Sequence, residues 1–113
     1  MQPDNRKFLW DAREAGRRIE RFVAGRTFDD YIADDLLRSA VERQFEILGE
    51  ALGRVRREAP DVAARISGID RIVAFRNVIA HGYAAIDDRL VWSVAATRLV
   101  PLLHELDGLL EDR

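Results

Sequence analysis

The sequence predicts an all-α fold, an antiparallel four-helix bundle with one short extra helical turn. Three observations carry this reading. Apolar residues recur at steps of three and four along four separate segments, which puts each set on one helical face. No segment alternates apolar and polar residues at the period of two that a sheet strand requires. The connections between the segments are short and carry capping or breaking residues, as antiparallel neighbours in a bundle need.

The first stripe is Phe8, Ala12, Ala15, Ile19 and Phe22, and it predicts a helix over residues 5 to 24 with Gly25 suited to the C-cap. Thr27, followed three residues later by Asp30, reads as a variant capping box opening a short helical turn from Phe28 to Ala33. The longest stripe, Leu37, Val41, Phe45, Leu48, Leu52 and Val55, predicts a second helix over 35 to 58, which Pro60 forbids from continuing. Ile69, Ile72, Val73 and Ile79 mark a third helix that Gly82 ends near His81. Ile86-Asp87-Asp88 supplies the N-cap of a fourth, carried by Val91, Ala95, Leu99, Leu102, Leu106 and Leu109, with a bend expected at Pro101.

At 113 residues the chain suits one hydrophobic core, so residues 1–113 are expected to form a single domain. An apolar share of 48% against 34% charged residues is globular composition, outside the range of disordered chains. The formal net charge of -2 gives no global positive field, so any nucleic acid must be recognised locally. Lys7 is the only lysine among 18 basic residues, and the arginines that supply the rest grip phosphate with a planar fork. With no cysteine there is no disulfide, thiolate nucleophile or Cys-based metal site. A charged N-terminus and the lack of any membrane-length apolar run make a cytoplasmic protein, away from the membrane, the expectation.

One helix breaks its own pattern. The stripe Ile69, Ile72/Val73, Ile79/Ala80 should continue through position 76, where the sequence has Arg76 followed by Asn77. A guanidinium on a bundle-facing stripe costs on the order of several kcal/mol unless it is paired or opens onto a polar cleft. Glu50, in the middle of the second helix, is the candidate acid for an ion pair; a cleft lined by Arg76 is the functional alternative. Around one helix, Asn77 and His81 fall on nearly the same side, whereas Arg76 and His81 stand about 140° apart. Convergence of Arg76 with His81 therefore calls for a helix that ends at or before His81, or for two chains meeting across a two-fold axis. An arginine beside a histidine is a minimal metal-independent apparatus for cutting RNA. The imidazole moves the proton of a ribose 2′-hydroxyl or of the leaving oxygen, and the guanidinium holds the charge developing on the phosphate. That spacing alone is a loose signal.

The run FRNVIAHGYAAID, residues 75–87, is more specific, together with VERQFEILGEA at 41–51 and Val91-Trp92 downstream. It resembles the HepT-like branch of the HEPN superfamily over nearly the whole chain. Many of those relatives carry Pro-Trp shortly before the Arg-Asn, where this chain has Ile69-Asp70-Arg71-Ile72. The resemblance implies a HEPN-like bundle and a toxin that is a metal-independent endoribonuclease needing no cofactor. Arg76 and His81 would be catalytic, with Asn77 supporting them by hydrogen bonds. Two protomers would pair with their motifs at the interface. The cognate partner would be a small nucleotidyltransferase antitoxin, in a hetero-oligomer with the toxin dimer, silencing it by adding AMP to Tyr83. The alternative from another class is a non-catalytic helical partner that positions or regulates a nucleotidyltransferase, and a third is a purely structural dimerisation bundle.

The remaining polar residues read as structural. His104 sits among leucines as a surface or satisfied core histidine, and the pairs Asp29-Asp30, Asp34-Asp35 and Asp87-Asp88 cap helix starts instead of binding metal. Arg54, Arg56 and Arg57 suit the C-terminal dipole of the second helix, with RNA or an acidic partner as the other reading. Trp10 and Trp92 read as core or interface anchors, and Gly49 and Gly53 as sites of close helix packing.

Overall fold

The computed structural model describes residues 1–81 and 86–111. Its helices are α1 (Pro3–Val23), α2 (Phe28–Ala33), α3 (Asp35–Glu58), α4 (Pro60–Ala63), α5 (Ile69–His81), α6 (Asp88–Thr97) and α7 (Leu99–Glu111). No strand occurs among the described residues, of which 85% are helical.

All six stripe residues of α3, from Leu37 to Val55, are buried. So are Leu9, Ala12, Ala15 and Ile19 of α1, and the two helices pack along their length. Burying each Leu or Ile contributes about 1.5–3 kcal/mol, so this pair forms the main body of the core. Helix α5 covers the other flank of α3, while α7 lies against α1. Gly16 makes the last contact possible, because a Cβ there would come within 2.7 Å of the Leu103 side chain.

The expected caps form. The backbone N–H of Asp30 donates to Thr27 Oγ1 at 3.1 Å and that of Thr27 donates to Asp30 Oδ2 at 2.9 Å, a complete capping box for α2. Asp34 accepts from the Leu37 N–H, and Asp87 from those of Arg89 and Leu90, so acids open α3 and α6 as their positions predict. Pro60 ends α3 and also opens the single turn α4, which the spacing of apolar residues does not announce. A proline lacks only an N–H that the first turn leaves free.

The fourth predicted helix is two helices. The break falls at Arg98 (φ -103°, ψ -24°), three residues before the bend expected at Pro101. Proline at 101 cannot donate to the Thr97 carbonyl and its ring crowds that group, so the ladder is interrupted one turn upstream of the proline itself. Between α5 and the α6–α7 arm the bundle stays open, leaving a mostly apolar groove of about 750 Å³.

Candidate functional site

Helix α5 positions the polar residues that interrupt its stripe. Ile69, Val73 and Ile79 are buried, and Arg76 lies among them with its stem pressed onto α3. The contact is so close that a Cβ at Gly49 would sit 2.2 Å from Arg76 Cβ and 2.6 Å from its Cγ. Gly49 is thus the residue that lets an arginine occupy the stripe. Gly53, one turn on, has no such duty, since a Cβ there would find its nearest atoms at 3.9 Å.

Both readings of Arg76 meet in the geometry. Its Nη2 lies 3.2 Å from Glu50 Oε2, the expected ion pair, and Nη1 donates to Asn77 Oδ1 at 3.0 Å. The pair is not sealed in the core: the Arg76 side chain is 27% exposed and that of Glu50 51%, at the wall of an open groove of about 510 Å³. Arg76 Nε is buried with no hydrogen-bond partner among the described residues. Buried stem and wet head is the snorkelling arrangement that lets a guanidinium serve a site without the full cost of a buried ion.

Arg54, expected with Arg56 and Arg57 at the C-terminal dipole, lies before the last turn of α3, which holds only the other two. Its Nε stands 3.8 Å from Glu50 Oε1, and its guanidinium lies over the Phe8 ring, 5.5 Å from the centroid. The spacing of Glu50 and Arg54, four apart on one helix, carries half of that arrangement. No spacing rule could have supplied Phe8, which comes from α1. Arg56 bonds Asp70 at 2.8 Å and so ties the end of α3 to the start of α5.

Helix α5 remains continuous through His81, so a single protomer does not bring Arg76 and His81 together. At about 100° per residue they stand some 140° apart around the axis, and Asn77 lies between them. Arg76 faces α3 and the groove beside α1. His81 is exposed at the last residue of the helix, on the side of Ala74 and Val78, which line the apolar groove toward α6 and α7. Tyr83, expected as the modified residue, and Gly82, expected to end the helix, lie outside the described residues. Among the described residues no three His, Asp or Glu side chains gather as a metal site.

Perturbed carboxyl and phenol groups occur elsewhere, where α2, α3 and α6 meet. Tyr31 is fully buried against the Trp92 ring at 5.4 Å, its hydroxyl unpartnered among the described residues, and burial pushes the phenol well above its ordinary value. Burial, and then the negative charge of Asp88, hold the Glu42 carboxyl above its ordinary range. His104 is exposed, and Trp92 is half-buried as an anchor, but Trp10 is 48% exposed and so is no core residue.

Residues 12–108 match a family described as Ribonuclease HepT-like. A Thermococcus cleftensis protein named probable ribonuclease HepT is 29% identical over 113 residues, covering 96% of this chain and 98% of its own length. Two Methanocaldococcus jannaschii proteins, both provisionally named RNases, are also similar. One is 27% identical over 92% of this chain and 94% of its own length, the other 25% identical over 96% of this chain and 89% of its own. No solved structure is a significant match to the chain.

Proposed function

The chain belongs to the HepT-like ribonuclease family, and from that premise we propose that it is a toxin-type endoribonuclease acting on RNA in the cytoplasm through Arg76, Asn77 and His81. The observation that carries this reading is the partly exposed side chain of Arg76. It is held at a groove wall by Glu50 and Asn77, on a helix whose last residue is His81. A structural ion pair alone would not need its head kept open to an arginine-lined groove.

The chemistry needs no group beyond the chain and its substrate. The imidazole of one His81 takes the proton from a ribose 2′-hydroxyl, whose oxygen then attacks the adjacent phosphorus. The bond to the 5′-oxygen breaks, and that oxygen leaves with a proton from an imidazolium. Arg76 neutralises the charge on the non-bridging oxygens, and Asn77 fixes the guanidinium fork. General acid–base catalysis of this kind contributes on the order of 10²–10⁴ in rate.

Because Arg76 and His81 face different sides of α5, the working site is a homodimer in which two copies bring their motifs together. The apolar groove supports this. Val78 is 54% exposed and Leu90 45% on its walls, and His81 follows Val78 by three residues on the same side of α5, so a second copy seated there would bring its own chain close to the histidine. Control falls to a nucleotidyltransferase antitoxin that transfers AMP from ATP to the Tyr83 hydroxyl, with pyrophosphate leaving. A bulky anion two residues from His81 would compete with the substrate phosphate for Arg76.

The deciding experiment compares cells expressing wild type and His81→Ala at matched protein level, with sequencing of new RNA ends. Arrested growth and new ends for wild type alone support the proposal. Equal growth without new ends sinks it in favour of a non-catalytic helical partner of a nucleotidyltransferase.

A further inference from the structure

The groove that holds Arg76 also reaches two aromatic side chains that the cleavage chemistry does not use. Trp10 is 48% exposed between two open grooves, although indole is among the costliest side chains to leave in water. Phe8, on the same helix, lies under the Arg54 guanidinium. The groove therefore presents flat apolar faces and arginine heads side by side, the pairing by which proteins hold unpaired nucleotides: bases stack on rings while phosphates go to the cations.

Its charges are arranged to accept an anion, despite acidic residues along the walls. Those acids already have basic partners: Asp11 pairs with Lys7, Glu14 with Arg13, Glu46 with Arg43 and Glu50 with Arg76. Arg18, on the same wall, has no acid within 4.0 Å among the described residues. An incoming phosphate thus meets one free guanidinium at Arg18, with Arg54 and Arg76 sharing a single half-exposed carboxylate.

We propose that Trp10 and the groove leading from it to Arg76 form a subsite for an unpaired nucleobase of single-stranded RNA. The base stacks on the indole, and the adjoining phosphates run past Arg54 to Arg76, with Arg18 further along the same groove. The identity of the strand as RNA rests on the ribonuclease reading above. A duplex buries its base faces within its own stack, so the subsite selects single-stranded segments near the cut.

The test uses the wild-type full chain and a short fluorescein-labelled 2′-O-methyl RNA, which cannot be cut, read by fluorescence anisotropy. Trp10→Ala is expected to weaken binding on the order of tenfold, the loss typical of one stacked base, while Trp10→Phe keeps most of the affinity. A duplex of the same sequence should bind weakly and equally to both proteins. Equal single-strand affinity for wild type and Trp10→Ala, or no binding at all, overturns the subsite. So does a Trp10→Ala protein with unchanged affinity and altered mass in light scattering, which would assign the indole to a protein interface. Cleavage of unmodified RNA is scored separately. Trp10-dependent binding without cleavage leaves the subsite standing and removes the ribonuclease reading; cleavage with KM unchanged by Trp10→Ala does the reverse.

Discussion

Helix α3 buries an apolar residue at each step of its stripe from Leu37 to Val55, whereas α5, packed against it, gives up the centre of its stripe to Arg76 and leaves Val78 half in water. One helix is enclosed by neighbours on several sides; the other rests on α3 and borders open grooves on both flanks. The difference separates work: α3 holds the fold, and α5 spends burial on presenting polar groups. If so, equivalent truncations should cost unequal amounts. Leu52→Ala, at a fully buried position, is expected to lower stability by about 2–5 kcal/mol in urea unfolding. Val78→Ala should change it by no more than about 0.5 kcal/mol in dilute protein. Equal losses would mean that α5 is as much scaffold as α3.

Two helical glycines sharpen the same contrast. Replacing glycine by alanine inside a helix normally gains about 0.5–1 kcal/mol. Gly108 in α7 has nothing within 4 Å of a built Cβ, so Gly108→Ala should show that gain as a raised melting temperature. At Gly49 the same methyl would strike the Arg76 stem and push α5 from α3. Gly49→Ala should therefore destabilise by about 1–3 kcal/mol and reduce cleavage with it, because the guanidinium moves with its helix. Opposite signs at the two positions are the expected result, read from thermal melts of the two variants. A gain at Gly49 would show that the α3–α5 contact can yield.

These regions also differ in how much of them could be read from the sequence. The spans of α2, α3 and α5, and the caps at Thr27, Asp34 and Asp87, were legible because each depends on residues within a few positions of one another. The interruption at Arg76 was legible for the same reason, and so was Glu50, whose place in the middle of the neighbouring helix marks it as the facing acid. What escaped depends on chain segments far apart. The groove between α1 and α3, the seat of Arg54 on Phe8 and the exposure of Trp10 arise only when α1 is laid along α3. The break at Arg98 was read one turn too late, since the proline acts on the carbonyl four residues before it. Gly53 has the same spacing signal as Gly49, but it faces Val73 at ordinary contact distance, and only packing tells the two apart.

The smallest effect concerns the N-terminal half of α3, where the scaffold meets the helix that follows the site. Glu42 has its carboxyl held above the ordinary range by burial first and by Asp88 second. The folded state thus binds that proton more tightly than the unfolded chain does. The stabilisation is complete below the ordinary carboxylate pKa and is lost as pH rises through the raised folded value. At neutral pH the charged group is a liability to the fold, so Glu42→Gln should raise stability there, by no more than about 0.5 kcal/mol given its partial exposure. Near pH 4 the gain should vanish. Asp30 behaves in the opposite sense. Hydrogen bonds from Thr27 hold its carboxyl below the ordinary value, so its contribution is present at neutral pH and fades as pH falls through that lowered value. Urea midpoints for Glu42→Gln and Asp30→Asn at the two pH values read both signs together. A Glu42→Gln gain larger in acid than at neutrality would remove burial and Asp88 as the cause of the raised carboxyl.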